Sequence, residues 1–277
     1  MERKPIKLLI MDIDGTLVTN KKEISPATCK ALIDLQNNGV RLALASGRPA
    51  KGMLRFARQL EMDKHHGLLI SSNGAKAEEI NTGKVLFEHA LSVAEAQAVL
   101  EHLKAFNVRP MIEDGDYMQV NNVFDCMITT GGRKFNVIEY EAHSNGFLLK
   151  ESSDLAKSVN FRPSKILTAG DEEYLKDHWK EIAEPFKETL DSMFTSPFYY
   201  EFTAKDTNKG SAIEALGYEK DEIAAIGDAQ NDLPMFRAAG TKIAMGNSVD
   251  VVKEAADFVT DTNENDGIAK WIETYFG

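Results

Sequence analysis

Near its start the chain carries an apolar run, residues 6–11, that ends abruptly on two carboxylates in Asp12-Ile13-Asp14-Gly15-Thr16. A continuous apolar run of this length suits a strand buried on both faces, the habit of parallel sheets covered by helices. Two acids set hard against such a strand are costly to bury unless a cation accompanies them. Ligands of open α/β sheets bind just beyond the carboxyl ends of the strands. The residues that end this strand therefore mark a candidate site as well as a fold.

The sequence that follows continues the pattern. Ser25-Pro26 predicts a helix start, with a hydroxyl cap and proline at the first helical position, and Gly39 predicts its end. Residues 40–45 read as a second buried strand ending in Ser46-Gly47-Arg48. Residues 49–60 read as a helix, and residues 68–71 as a third strand ending in the turn pair Asn73-Gly74. Such alternation predicts right-handed crossovers in an α/β sheet. The rhythm breaks after residue 83. Ser92 and Glu95 form a capping-box pair that predicts a helix to about residue 106. Strands over 117–120, 165–169 and 199–202, with a helix over 171–182, suit an α+β arrangement. The first rhythm resumes at Lys209: helix 209–216, strand 222–226, helix 232–239, short strands over 243–245 and 258–260, then a last helix. The expected architecture is an α/β domain in two parts, 1–83 and 205–277, interrupted by an α+β insert over 84–204. A length of 277 residues holds two modest domains.

Hydrophobic residues at 43% and charged residues at 27% suit a globular chain. A formal net charge of −11 argues against nucleic acid or an anionic membrane as partner. The two cysteines, Cys29 and Cys126, form no CxxC pair and suggest a reducing compartment. The first apolar run is too short for a signal or spanning segment, so a cytoplasmic location is expected.

Four segments carry candidate chemistry. In the first, Asp12 and Asp14 could share a metal or divide nucleophile and acid roles, with Gly15 allowing a sharp turn. In the second, Ser46 and the backbone amides of a strand-to-helix turn could cradle an anion. The third, Asn208-Lys209-Gly210, sets a lysine at a helix start, against the dipole preference unless an anion sits there. In the fourth, Gly227-Asp228-Ala229-Gln230-Asn231-Asp232, Asp228 and Asp232 are placed for a hard cation, and Asn231 or Asp232 is expected to cap the next helix.

In this order the four segments resemble the motifs of the haloacid dehalogenase superfamily, and the resemblance covers essentially the whole chain. The insert, preceded by Ser71-Ser72-Asn73-Gly74-Ala75, resembles the C2B cap of the Cof-type branch, subfamily IIB. The resemblance implies a Rossmann-like core and a Mg²⁺-dependent phosphatase acting on small phosphomonoesters, sugar phosphates foremost. It implies Asp12 as nucleophile and Asp14 as general acid/base, with a raised Asp14 pKa. Asp12, Asp14 through its carbonyl, Asp228 and Asp232 would hold the metal. Ile13, Ser46, Gly47, Lys209 and Asn231 would hold the phosphoryl group, Asn231 alternatively orienting Lys209. Arg48 and Asn73 would stand close by, and the insert would act as a lid. The alternatives are a phosphomutase of the phosphomannomutase type and a non-catalytic regulatory binding protein. Neither substrate nor oligomeric state can be read from the sequence.

Overall fold

The computed structural model describes residues 5–277. The apolar run becomes β1 (Leu8–Met11), buried at every position. The chain then passes through α1 (Pro26–Asn37), β2 (Arg41–Ala45), α2 (Ala50–Gln59) and β3 (Leu68–Ser71). A hairpin of β4 (Lys76–Glu79) and β5 (Val85–Glu88) turns back antiparallel along β3. There follow α3 (Val93–Leu103), β6 (Arg109–Asp114), β7 (Tyr117–Val120), β8 (Met127–Thr130), β9 (Arg133–Asn136), α4 (Val137–Asn145), β10 (Leu148–Glu151) and α5 (Leu155–Ser158). After them come β11 (Ile166–Ala169), α6 (Glu172–Ala183), β12 (Leu190–Ser196) and β13 (Tyr199–Ala204). The last part holds α7 (Lys209–Glu214), β14 (Ile223–Gly227), α8 (Leu233–Ala238), β15 (Thr241–Ala244), α9 (Asp250–Glu254), β16 (Phe258–Val259) and α10 (Gly267–Phe276).

The chain divides into two compact units. One runs to Glu88 and resumes from Asn208 to Gly277; the other is His89–Thr207. The discontinuous unit is built on an eight-stranded sheet in the order β16-β15-β14-β1-β2-β3-β4-β5, parallel from β16 to β3. From β1 the chain steps one way to β2 and β3; from β14 it steps the other way to β15 and β16. Loops leaving β1 and β14 therefore diverge and open a crevice at the carboxyl ends of the two strands.

Helices cover both faces, as the continuous apolar runs require. On one face Leu32, Phe56 and Trp271 of α1, α2 and α10 pack on Leu9, Met11, Leu42 and Leu44. On the other, Ile213, Phe236 and Val252 of α7, α8 and α9 pack on Leu8, Ile10, Ala43 and Ala45. The expected helix signals hold. The Ser25 hydroxyl accepts the Thr28 amide, with Pro26 at the first position of α1, and Gly39 takes a left-handed φ of 90° just past its end. The Ser92–Glu95 capping box is formed at α3.

The second unit is a six-stranded sheet in the order β10-β7-β6-β11-β13-β12, with β8 and β9 as a separate hairpin. Residues of α3, α5 and α6 pack on one face through Leu100, Leu155 and Leu175, against Ile112, Ile166, Tyr200 and Phe202. Ile128, Val137, Ile138 and Ala142, from β8 and α4, pack with Met111, Met118 and Leu167. Each unit thus has its own apolar core. Cys29 and Cys126 are both free thiols.

Candidate active site

The site lies wholly within the discontinuous unit. Asp12 leaves the carboxyl end of β1 and Asp228 that of β14, its parallel neighbour; the Asp12 amide still bonds the Ile226 carbonyl at 3.0 Å. Lys209 enters from the start of α7, where Asn208 caps the helix by accepting the Ser211 amide. The Lys209 Nζ donates to Asp12 Oδ1 and to Asp232 Oδ1, each at 2.6 Å. Lys209 is 1% exposed and Asp232 0%. A buried ammonium is tolerated only when paired. Burial pushes Lys209 down, but Asp12 and Asp232 outweigh it and lift the group above the ordinary lysine range.

Asp12 feels the opposite balance. Burial raises its pKa most, and Asp232 and Asp228 push the same way. Lys209 opposes them without cancelling the rise. Asp228 is raised by burial and by Asp232, while the Thr16 hydroxyl, donating to its Oδ1 at 2.7 Å, works against that rise. Asp12, Asp228 and Asp232 each present an oxygen, and these oxygens lie within 4.8 Å of one another. Three carboxylates with one ammonium leave two negative charges uncompensated. An all-oxygen set with that residual charge suits a hard divalent cation, so these residues fit Mg²⁺ or a similar ion.

Two glycines make the close approach possible. A Cβ on Gly15, at φ +85°, would stand 2.5 Å from Asp228 Oδ2, and one on Gly227 would stand 2.6 Å from the Asp232 carboxylate. The Asp232 Oδ2 also accepts the amides of Asp228 at 2.9 Å and Ala229 at 3.1 Å. Its carboxylate therefore holds both the loop and Lys209. The expectation that Asn231 or Asp232 caps the following helix holds for position alone: Asp232 is the N-cap residue of α8, but its side chain makes no cap bond to it.

The second segment forms the rim. Ser46, at the end of β2, is buried; its Oγ accepts the Arg48 amide at 3.2 Å and its carbonyl accepts the Asn73 amide at 2.9 Å. Asn73 sits at a left-handed φ of 55°, and its Oδ1 accepts Asn231 Nδ2 at 3.3 Å. Gly47 lies alongside, where an added Cβ would be 3.2 Å from the side-chain Nδ2 of Asn73. Ile13 buries its side chain in the core and lends its carbonyl to the Leu17 and Val18 amides, so any ligand contact falls to its backbone N–H. Lys209 is oriented by Asp12 and Asp232, whereas Asn231 donates to Asn73.

Asp14 departs most from expectation. Its carboxylate stands outside the acidic trio, in a fork from Arg48: Nε to Oδ2 at 2.7 Å and Nη2 to Oδ1 at 2.8 Å. Lys22 Nζ adds a bond to Oδ1 at 2.7 Å. Burial pushes the Asp14 carboxyl up, but Arg48 and Lys22 outweigh it and hold the group at about 2. The raised value expected from like-charge neighbours is thereby corrected: the nearest charges are cationic.

Thr16, Lys22 and Asn247, whose Nδ2 donates to the Gly15 carbonyl at 2.8 Å, carried no assigned role in the sequence. Thr16 had a signal, lying inside the first motif. Lys22 had none, because a lysine in the polar run Asn20-Lys21-Lys22-Glu23 reads as solvated.

A parallel sheet bearing a buried acid–lysine–acid group at its central crevice defines a hydrolase of the haloacid dehalogenase type. The chain belongs to that family: residues 9–272 match the haloacid dehalogenase-like hydrolases. It is 30% identical over 271 residues to the 5-amino-6-(5-phospho-D-ribitylamino)uracil phosphatase YcsE of Bacillus subtilis, covering 96% of this chain and 94% of that protein. It is 26% identical over 273 residues to the pyridoxal phosphate phosphatase YbhA of Escherichia coli, covering 97% and 98%. The crystal structure of a haloacid dehalogenase-like hydrolase from Bacteroides thetaiotaomicron matches with a TM-score of 0.87 at 30% identity, over 97% of this chain and 99% of that one. These matches span the insert as well as the core, as for the Cof-type branch. Among the described residues no helix is long and apolar enough to cross a membrane.

Proposed function

We infer that the chain is a Mg²⁺-dependent phosphatase that hydrolyses small phosphate monoesters through an aspartyl phosphate on Asp12. One observation carries this reading: Asp12 ends the central strand, buried, with Lys209 on one oxygen and two further carboxylates beside it. Such a group needs charge compensation, and a phosphoryl group accompanied by a divalent cation supplies the matching partner. The named relatives support the reaction class, since both compounds in their names are small phosphate monoesters. The ribityl phosphate is a phosphorylated polyol, which keeps sugar phosphates first in the panel.

Asp12, Asp228 and Asp232, with the Asp14 carbonyl, would hold Mg²⁺, which when bound neutralises charge between the anionic nucleophile and the anionic ester. Asp12 forms the new O–P bond while the ester O–P bond breaks. Lys209, Ser46 and backbone N–H groups of Ile13 and Gly47 hold the phosphoryl oxygens, where positioning and charge provide most of the catalysis. Asp14, held ionised by Arg48 and Lys22, must first take up a proton from solvent before it can give one to the leaving oxygen. Water then attacks phosphorus, giving its proton to Asp14 and releasing Asp12. Ion-paired as it stands, Asp14 is set to accept a proton, which suits the water-activating half.

The test is phosphate release from a panel of phosphomonoesters, with Mg²⁺ and with EDTA, using Asp12→Asn as control. The expected outcome is metal-dependent turnover that falls on the order of 10⁴-fold or more in the variant. Equal inactivity of both proteins towards every ester would remove the reading. A hexose phosphate isomerised without phosphate release would turn it to a mutase.

A further inference from the structure

We propose that Arg48 is a positioning residue for the second half of the reaction, holding the Asp14 carboxylate in the one orientation from which it can take a proton from the attacking water. This rests on the phosphatase reading above. Four observations carry it. Arg48 engages both oxygens of Asp14, at 2.7 and 2.8 Å, so it fixes the plane of the carboxylate as well as its place. A guanidinium fork does this and a single ammonium does not. The Arg48 side chain is itself held: it is 19% exposed, its guanidinium carbon lies 5.7 Å from the centre of the Phe56 ring, and its amide bonds the buried Ser46 hydroxyl. Lys22 is a weaker second hand, half exposed, with one bond to one oxygen. Finally, Asp14 needs such a hand. It lies beside Gly15, in a turn with φ +85°, its carboxylate is 38% exposed, and it lacks the Lys209 ammonium that fixes Asp12 and Asp232.

Proton transfer requires heavy atoms within roughly 2.6–3.2 Å, and a displacement of about 1 Å costs on the order of 10²-fold in rate. An Asp14 released from Arg48 retains its chemistry but loses its aim. Formation of the aspartyl phosphate from an ester with a good leaving group needs no proton from Asp14. Its hydrolysis does need Asp14, so the two steps separate in time.

The experiment is rapid-mixing hydrolysis of p-nitrophenyl phosphate by the full-length protein with Mg²⁺. The proteins compared are wild type, Arg48→Ala, Arg48→Lys and Lys22→Ala. The expected result for Arg48→Ala is a burst of nitrophenolate near one equivalent per enzyme, then a steady rate about 10- to 100-fold below wild type. Arg48→Lys should lie between the two, and Lys22→Ala within a few-fold of wild type. In an Asp14→Asn background, adding Arg48→Ala should change the steady rate by less than about two-fold, because a residue acting only through Asp14 has nothing left to act on. Arg48→Lys keeps the charge and the core packing, so it decides the matter if Arg48→Ala does not fold. Two results would overturn the proposal. One is a first turnover slowed as much as the steady state. The other is a raised KM at unchanged kcat, which would make Arg48 a substrate ligand. If Asp12→Asn turns over as fast as wild type, the phosphatase reading itself has failed, an outcome distinct from both.

Discussion

Lys209 and Asp14 show how two charged residues in one crevice come to opposite ends. Lys209 is fully enclosed and fixed by two carboxylates, so replacing it would leave Asp12 and Asp232 facing each other without a cation. Asp14 is gripped from the other side by Arg48 and Lys22. That grip makes a statement about stability and pH. The Asp14 pKa is about 2 in the folded protein, against an ordinary carboxylate value near 3.8. A depressed carboxylate contributes stability that is fully present above the unfolded value and disappears as pH falls through the folded one. The contribution is modest, because the side chain is more than a third exposed and solvent screens it. The melting temperature of Arg48→Ala should therefore fall below wild type by a constant margin above about pH 4.5, and the gap should close as pH approaches 2. Thermal melts from pH 2.5 to 7 would check this, and a gap that widens towards acid would contradict the assignment.

At the scale of elements, the capping box of α3 offers a clean test of local chemistry. The Ser92 Oγ accepts the Glu95 amide at 3.2 Å, and the Glu95 carboxylate reaches back to the Ser92 amide at 2.8 Å. Ser92→Ala should lower stability by about 1 kcal/mol, read by denaturant titration. It should leave Mg²⁺-dependent turnover unchanged, since the cap touches no residue of the site. Elements with a one-dimensional signature were legible in the sequence: β1, β2, β3 and β14 as apolar runs, α1 and α3 by their caps. The unforeseen ones lack such a signature. β4 reads Lys-Ala-Glu-Glu, β10 is exposed at every position, and β6 contains Pro110, which argues against a strand when read in isolation. The helix expected over 232–239 runs from Leu233 to Ala238, and Asp232 instead closes a 3₁₀ turn over residues 230–232, bonding backward to its own loop. The site divides along the same line. The four motifs are contiguous and could be read. The contacts of Thr16 with Asp228 and of Lys22 with Asp14 depend on how loops close, which no local pattern encodes.

On the scale of the whole molecule, the two apolar cores predict separable behaviour. Residues 89–207 form one uninterrupted stretch with a core of their own. Produced alone, that stretch should melt cooperatively and be indifferent to Mg²⁺. The full chain should be stabilised by Mg²⁺, by about 2.7 kcal/mol at one hundred times the dissociation constant, because an ion held by the acidic trio would bind only the folded form. Calorimetry with and without the ion would check both. A Mg²⁺ shift in the isolated stretch would mean that a cation site lies outside the acidic trio.

The placement of β14 next to β1 also sets a timetable for synthesis. Domains tend to fold as units while the ribosome is still working. Here the central strand β1 leaves the ribosome early, but the partner on one of its flanks is made only after the entire intervening stretch. The intervening unit can finish folding first, while β1 waits with one edge unpaired. Asp12 meets Lys209 only when α7 has emerged, and Asp228 and Asp232 come later still. A nascent chain stalled before that point carries Asp12 but no assembled site, so turnover waits for the segment from Lys209 to Asp232 to be made.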